Sequence, residues 1–372
     1  MIRKWLAIGI ILLFVGTCII PVIAQDTEKS QSTSRGTWLY VGGSGPGNYT
    51  KIQDAIDNAS DADVVFVFDD SSPYYENVKV NKSITLLGEN RDTVIIDANG
   101  KGCPIDLEAN NVTVCGFTLQ NSGTVKYNDA GIHFKNFGDV PDSNNNIIIG
   151  NKIINNYEGI FGIYSKNNNI RDNIIISNLH SVIYFQAGCE SNIIQNNTIM
   201  ENDYGLFIHE SSYVQVIENT IENNNEIGVL LFEGANFISI KNNYITNSSY
   251  GIILDAGTFS AAGNNIASNV ITSNDIGLSL VRAYKCMIHK NNFIKNNISA
   301  TFFYDSFFNM NKFYRNYWDE HLLTTPKIIQ GKMHCFTLLY IFLSPFIPIE
   351  PKIIEWKNYD WFPAQEPYDI TG

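Results

Sequence analysis

Charged residues follow a repeated apolar phrase in the second half of the sequence. The phrase opens with Gly and alternates apolar positions, as in Gly205-Leu206-Phe207-Ile208. Residues with acidic or basic side chains follow its successive copies, at Glu210, Glu233, Asp255 and Arg282. Paired carboxylates are the groups that glycoside hydrolysis uses, and an Arg is suited to bind a substrate carboxylate. The three acidic residues could alternatively hold a hard cation such as Ca²⁺.

Side chains beside these charges are candidates for binding a carbohydrate without cleaving it. A Tyr ring offers an apolar face together with a polar tip, which suits stacking against a sugar ring. The candidate ligand-binding residues are Tyr204, His209, Tyr250, Tyr304 and Asp305. The plainer interpretation of all these positions is a solvated edge, because an acidic surface supplies such clusters without any function.

An Asn-centred phrase fixes the spacing of these candidates. Asn, one variable residue and an apolar residue recur every 22 to 26 residues through the middle of the chain. The recurring residues are Asn151, Asn173, Asn197, Asn219, Asn243, Asn269, Asn292 and Asn316. A period in the twenties indicates a stacked array, and no unit contains a helical stripe. We predict an all-β fold, a parallel β-helix in which these Asn side chains form a ladder at one corner.

Stacking of this kind sets the distances between the charged candidates. Strands of successive coils lie about 4.8 Å apart, so neighbouring coils would place carboxylates roughly 5 Å apart and alternate coils roughly 10 Å apart. These separations bracket those of retaining and inverting glycosidases.

Segments before and after the repeat resemble a known family. They are Ile52–Ala59 with Asp63–Val67, Tyr75–Val78 with Ser83–Glu89 and Thr93–Asp97, Val112–Leu119, and the closing phrase Asn316-Tyr317-Trp318. With these segments the chain resembles the NosD-like group of right-handed parallel β-helix proteins, of the pectate-lyase-like superfamily, over about residues 37–317. The resemblance implies a single right-handed β-helix and a secreted or surface protein of archaeal type. It implies little about function, since one fold hosts many functions.

The NosD resemblance adds copper binding as a second alternative function. Cys, Met and His side chains suit copper. The weak candidate ligands are Met287, His289, His334 and Cys335. Three other histidines, His133, His180 and His321, have no partner evident in the sequence, and a Cys103–Cys115 disulfide is one possibility that the sequence leaves open.

The ends of the chain depart from the repeat. Residues 1–24 have the charged start and apolar middle of a secretory signal peptide, with an uncleaved anchor as the alternative. Ile52, Ala55 and Ile56 lie on one face of a predicted capping helix. The predicted divisions are a signal peptide at 1–24, a linker at 25–36, an N-terminal cap with the first coils at 37–108, repeats at 109–317 and an irregular C-terminal cap at 318–372.

Composition narrows the classes of function. The 372 residues include 37 Asp and Glu against 25 Lys and Arg, for a net charge of -12, which argues against nucleic acid as a partner. We expect a monomeric, exported β-helix protein of the cell surface, with a structural or binding role toward a polysaccharide or surface glycan. It should need no cofactor, with Ca²⁺ possible, and keep no transmembrane segment after signal cleavage. The alternative is a polysaccharide lyase, glycoside hydrolase or epimerase that uses the acidic residues.

Overall fold

The computed structural model describes residues 36–135, 143–259, 261–305, 311–321, 323–335 and 352–370. The predicted signal peptide and nearly all of the predicted linker therefore lie outside the described residues. Within them the chain forms one short helix, α1 (Ile52–Asn58), and 34 strands. The strands stack as the predicted right-handed parallel β-helix of about eleven coils with three faces, and most coils contribute one strand to each face.

Face 1 is a stack of very short strands. Its members are β5 (Ile95–Asp97), β8 (Thr118–Gln120), β11 (Lys152–Ile154), β14 (Ile174–Ile176), β17 (Thr198–Met200), β20 (Thr220–Glu222), β23 (Tyr244–Thr246), β26 (Val270–Thr272), β29 (Asn292–Ile294) and β32 (Tyr317–Trp318).

Face 2 carries the longer strands that the Gly phrases form. They are β3 (Val78–Val80), β6 (Ile105–Leu107), β9 (Ala130–Phe134), β12 (Glu158–Ile163), β15 (Ser181–Gln186), β18 (Tyr204–His209), β21 (Ile227–Phe232), β24 (Tyr250–Asp255), β27 (Ile276–Val281), β30 (Ile298–Tyr304) and β33 (Lys327–Cys335).

Face 3 completes each coil. Its strands are β1 (Trp38–Val41), β2 (Val64–Val67), β4 (Thr85–Gly88), β7 (Thr113–Cys115), β10 (Ile147–Ile149), β13 (Asn169–Arg171), β16 (Ile193–Gln195), β19 (Gln215–Ile217), β22 (Ser239–Lys241), β25 (Asn265–Ala267), β28 (Met287–His289), β31 (Lys312–Tyr314) and β34 (Lys352–Asp360).

The core consists of identical inward positions stacked from coil to coil. Ile153, Ile175 and Ile199 occupy one such position on face 1, in register and fully buried. The side chains flanking each of them point outward, as the period of two in a strand requires. No coil buries its apolar residues alone, so the stack as a whole forms the core.

Buried Asn residues form a ladder at the corner between faces 3 and 1. In each coil the Asn Oδ1 accepts a hydrogen bond from the backbone N–H of the ladder Asn in the preceding coil, at 3.0 Å from Asn151 to Asn173 and 3.1 Å from Asn173 to Asn197. The Nδ2 group donates onward, to the next Oδ1 and to a main-chain carbonyl such as that of Ile148. Every donor and acceptor of these buried amides is therefore used.

The prediction is wrong for one member of the ladder, Asn292. Asn269 hydrogen-bonds to Asn291, not to Asn292, and Asn291 continues to Asn316. The prediction failed because two Asn stand together and either fits the phrase. The strand register decides between them, because Phe293 pairs with the inward Ile271 and Asn292 therefore pairs with Val270 inside the strand. Asn292 instead binds the backbone N–H and carbonyl of Tyr368.

Two further ladders occupy the other corners, and the sequence repeat did not indicate them. One runs between faces 1 and 2 through Asn156, Asn178, Asn202 and Asn224, and resumes at Asn274 and Asn296. The other runs between faces 2 and 3 through Asn146, Asn168 and Asn192, with Asn264 and Asn311 in later coils.

Both ends of the solenoid are covered. The predicted helix α1 buries Ile52, Ala55 and Ile56, and Glu76 accepts hydrogen bonds from the first backbone N–H groups of the helix. At the other end β33 and β34 pair antiparallel over nine residues each, so the C-terminal cap contains regular structure where we expected none. In the described part of the chain, no helix has the length and apolar character that crossing a bilayer requires.

Candidate functional site: an aromatic surface on face 2

A row of packed rings lies on the outer side of face 2, and its first members, His133, Phe161 and Tyr184, are buried. Phe161, Tyr184 and Phe207 stand in register on β12, β15 and β18, and they continue the row begun by His133 on β9. The Tyr184 and Phe207 rings are parallel at 4.5 Å between centroids. Phe232 joins from the next coil at 6.2 Å from Phe207. These rings, with Tyr127 and Tyr204, form what we call the aromatic surface.

A loop between β8 and β9 closes one side of this surface. Tyr127 lies 6.0 Å from the Tyr184 ring and adopts a left-handed backbone conformation, with φ of 62°. The Asp129 carboxylate holds the loop by accepting a hydrogen bond from the Val125 N–H. The result is a shallow pocket of about 220 Å³. Its lining residues are Lys126, Tyr127, His180, Tyr184, Tyr204, Phe207, Leu230 and Phe232.

A Glu–His pair lies at the wall of the pocket, where half-buried His180 lines the pocket and Glu158 lies behind it. The Glu158 side chain is fully buried, and its Oε1 is 3.3 Å from Nδ1 of His180. Neither of its carboxylate oxygens has a hydrogen-bond partner of normal geometry among the described residues. Burial raises the pKa of Glu158, and the hydrogen bond and charge of Glu158 raise the pKa of His180. The pair can therefore hold and exchange a proton beside the aromatic rings.

Part of the predicted acidic site does assemble at the end of face 2. Each of His209, Glu210 and Glu233 offers one atom to a group whose members lie within 4.8 Å of one another, a spacing that suits a cation. His209 Nε2 is 3.6 Å from Glu233 Oε2. Glu233 also accepts a hydrogen bond from the Thr258 N–H, and this bond lowers the pKa of the carboxyl. A carboxylate stabilised in its ionised form is poorly suited to act as a general acid.

Asp255 does not share the row that Glu210, Glu233 and Arg282 form. Asp255 pairs in register with Phe232 and Val281, one residue before that row. Its carboxylate binds the Gly257 N–H in its own turn. Arg282 forms an ion pair with Asp305 at 3.4 Å instead of facing an open site. The predicted ladder is thus divided between two rows, and its basic residue is already paired.

The candidate ligand-binding residues have different outcomes. Tyr204 lines the pocket, His209 borders it at 5.3 Å from the Phe232 ring, and half-buried Tyr250 lies two coils from Tyr204 in the same row. Asp305 is paired with Arg282 and His334.

Tyr304 was wrongly placed on the surface. It is fully buried, and its hydroxyl accepts hydrogen bonds from the Asn311 and Asn358 side chains. The preceding residue, Phe303, takes the outward position because it continues the row of Val281.

The predicted soft-metal ligands are not brought together. Met287 and His289 share the outer side of face 3, where His289 binds Asn265 and stacks on Tyr314. His334 lies on face 2 beside Asp305. The side chain of Cys335 lies outside the described part of the structure.

Sequence reasoning missed Glu158, His180 and Lys126. His180 stands in the coil whose apolar phrase lacks Gly, and Glu158 directly precedes Gly159 in the coil before it. The available signal was Glu158 itself, an acidic residue at the first position of β12. Later strands of face 2, such as β18 and β21, have Tyr or Ile at their first position.

Comparison with known proteins agrees with the architecture. A family described as "Periplasmic copper-binding protein (NosD)" matches residues 56–258 and 109–334. A cell surface glycoprotein of Methanothermus fervidus is 38% identical over 71 residues, which is 19% of this chain and 12% of the glycoprotein.

Two solved structures share the fold. The A-module of mannuronan C-5 epimerase AlgE6 of Azotobacter vinelandii has a TM-score of 0.54 at 13% identity, covering 71% of this chain and 88% of the module. The A-module of AlgE4 of the same organism has a TM-score of 0.50 at 17% identity, covering 68% and 86%. Similarity at these identities concerns the fold alone. The family match, in contrast, spans well over half of the sequence, and the chain therefore belongs to the NosD family of β-helix proteins.

Proposed function

We propose that this protein is exported to the cell surface and binds a polysaccharide along the aromatic surface. The observation that carries the proposal is the pocket open to solvent on face 2 and the accessible rings around it, Tyr127, Tyr204, Phe207 and Phe232. These rings come from a loop and from neighbouring coils, so the sugar units of a polymer lying across the pocket can pack against them. The single basic side chain at the rim, Lys126, would favour an anionic sugar.

Similar proteins support the cell-surface location and the polysaccharide ligand of this proposal. The glycoprotein relative is named for the cell surface, and the two epimerase modules act on mannuronan, a polyuronate. A solenoid of this kind can therefore present a long polymer-binding face.

The test is binding of polyuronates and neutral polysaccharides to the purified chain and to single variants. Tyr204→Ala and Phe207→Ala should each weaken binding by about 1–2 kcal/mol, which is about 5- to 30-fold. Tyr40→Ala is the matched control, because Tyr40 is an exposed aromatic residue stacked with others on face 3. Unchanged binding in both face 2 variants, or a loss in Tyr40→Ala alone, would remove the aromatic surface as the binding site.

A polysaccharide-modifying enzyme is the second candidate, favoured by the Glu158–His180 pair. His180 lines the pocket and can reach a bound sugar, while Glu158 behind it raises the pKa of the imidazole, so this pair suits acid–base catalysis better than the ionised Glu233 does. Turnover of a polyuronate, assayed with and without Ca²⁺, should then be lost in Glu158→Gln. Loss in Glu233→Gln instead would place the chemistry on the acidic row, and absence of turnover on every polymer would eliminate the enzyme.

Copper binding, which the description of the family names, does not fit the residues predicted for it. Among the described side chains, Met287 with His289 and His334 lie on different faces, and each histidine already has a polar partner. We derive no functional step through copper.

A further inference from the structure

A cysteine, an aspartate and a histidine converge in a buried position on the outer side of the first coils of face 2. Cys103 precedes β6, Asp106 lies within β6, and His133 lies on the adjacent strand β9, in register with Asp106. Each offers one ligand atom, and these atoms lie within 4.8 Å of one another. The residues are 2%, 7% and 1% exposed. We call them the buried trio.

The buried trio contains polar groups that the protein itself leaves unpaired. Both ring nitrogens of His133 and Oδ1 of Asp106 have no hydrogen-bond partner among the described residues. Burying such groups without partners costs free energy, so their presence together calls for a ligand that satisfies them. His133 Nδ1 and Asp106 Oδ1 are 3.6 Å apart, too far for a hydrogen bond and suitable for two ligands of one ion.

We propose that Cys103, Asp106 and His133 bind a divalent cation of borderline softness, of which Zn²⁺ is the type. One thiolate, one imidazole and one carboxylate form a ligand set typical of zinc. The carboxylate and the absence of a Met ligand disfavour monovalent copper, and the thiolate disfavours Ca²⁺. A water molecule, or the Asn128 carbonyl oxygen at 3.2 Å from Sγ, is available for the fourth position.

The charges around the buried trio balance with the cation present. The Cys103 thiolate and the Asp106 carboxylate together neutralise a divalent ion, while Lys135 pairs with Glu108 at 3.7 Å as well as with Asp106. A neutral imidazole nitrogen of His133 offers a lone pair to the cation. When the Cys103–metal bond forms, the Sγ–H bond breaks and the proton leaves to solvent.

The structural consequence is a cross-link between two coils. Cys103 packs with Ala130, Phe161 and Tyr184, at the start of the aromatic surface. A cation held there would tie β6 to β9 and fix the strand from which the aromatic row begins.

Titration of the chelator-treated chain with Co²⁺ tests the proposal, since Co²⁺ replaces Zn²⁺ and gives absorption bands. We expect a thiolate-to-metal charge-transfer band that saturates at one equivalent and is abolished by Zn²⁺ but not by Ca²⁺. Release of the thiol proton predicts that the apparent affinity rises as the pH increases. Absence of the band in the unmodified chain would overturn the proposal.

Variants locate the site. Cys103→Ser should abolish the band, and His133→Gln and Asp106→Asn should weaken Zn²⁺ binding by at least about 10–100-fold, the loss seen when even an outer-shell partner of a metal is removed. Cys286→Ser is the matched control, because Cys286 is an equally buried free thiol with no His or acidic residue grouped with it. A band that persists in Cys103→Ser, or disappears in Cys286→Ser, would refute the assignment. Circular dichroism verifies that each variant is folded. If Cys103→Ser is not folded, the near-isosteric variants His133→Gln and Asp106→Asn decide the result.

Discussion

The contact between Glu158 and His180 should make stability depend on pH. The pKa of His180 is raised above its ordinary value of 6.5, so the folded state binds the proton more tightly than the unfolded state. The stabilisation is thus complete below pH 6.5 and is lost as the pH rises through the higher, folded pKa. The raised pKa of Glu158 has the same sign, because burial disfavours its charged form.

Thermal unfolding measured across neutral pH tests this pair. The melting temperature of the unmodified chain should fall as pH rises above 6.5, and His180→Gln should flatten that slope. His321→Gln is the control, since His321 contacts only the carbonyl of Thr325 near the surface. An equal slope in His180→Gln would show that another group carries the pH dependence.

A single ladder Asn should matter more than a surface Asn. Asn219 accepts two hydrogen bonds from Asn197 and donates to Asn243 and to two main-chain carbonyls, all in the buried corner. Asn219→Ala leaves several buried groups unpaired at about 1–3 kcal/mol each, so the free energy of unfolding should fall by at least about 2 kcal/mol.

Asn225→Ala provides the comparison for that measurement. Asn225 is exposed and donates only to Asp203 among the described side chains, so its removal should change stability by no more than about 0.5 kcal/mol. Similar losses in the two variants, measured by denaturant unfolding, would contradict a stabilising role for the ladder.

At the scale of the strand, close backbone approach explains the Gly that opens each phrase on face 2. A Cβ added at Gly228 would lie 2.7 Å from the carbonyl oxygen of Gly251 in the next coil and 2.9 Å from the Ile245 side chain. Gly228→Ala should therefore strain the stack and lower the free energy of unfolding by about 1–3 kcal/mol.

Ser279→Ala is the control for this substitution, because it also changes one small residue on face 2 but on the outer side of β27. Its effect should stay within about 0.5 kcal/mol. If the same denaturant unfolding shows no change in the free energy of unfolding for Gly228→Ala, neighbouring coils can separate locally at no cost.

The inward and outward alternation of side chains along these strands was predictable from the sequence. Which residues of successive coils share a row where the strands end was not. The Gly phrase indicated strand and inward face correctly, because apolar alternation has a period of two. Asp255 is the fourth residue after its Gly and Glu233 the fifth after its own, so grouping the two in one row placed Asp255 one residue out of register. Glu210 and Glu233 have left-handed backbone conformations, with φ of 47° and 24°. The strand ends at such a turn, and the inward and outward alternation of its side chains ends with it.

For the molecule as a whole, the C-terminal cap terminates the solenoid through Asp360. This fully buried carboxylate accepts hydrogen bonds from the backbone and side chain of Asn316, from the Arg315 N–H and from the indole of Trp318. It takes the place of the next ladder Asn and leaves no open coil edge at this corner.

Asp360→Ala should release the last coil and expose that edge to other chains. We expect soluble oligomers or aggregates at elevated temperature, measured by light scattering and gel filtration, together with a lower melting temperature. Glu366→Ala, which alters an exposed acidic residue in the same tail, should behave like the unmodified chain. A monodisperse and equally stable Asp360→Ala would show that the cap holds without it.

The sequence alone determined the periodic part of this protein. A coil repeated many times needs the same residue type at the same corner, so Asn, Ile and Gly recur at regular intervals. The all-β solenoid and most of one ladder follow from this repeat. The capping helix follows from the apolar face that Ile52, Ala55 and Ile56 form. The tertiary structure alone decided the site. Lys126 and Tyr127 reach Tyr184 from a loop outside the repeat, Glu158 meets His180 across coils, and Cys103 and Asp106 meet His133 where the coils are least regular. Contacts that occur once leave no period to detect, and only the stacking of particular coils brings them together.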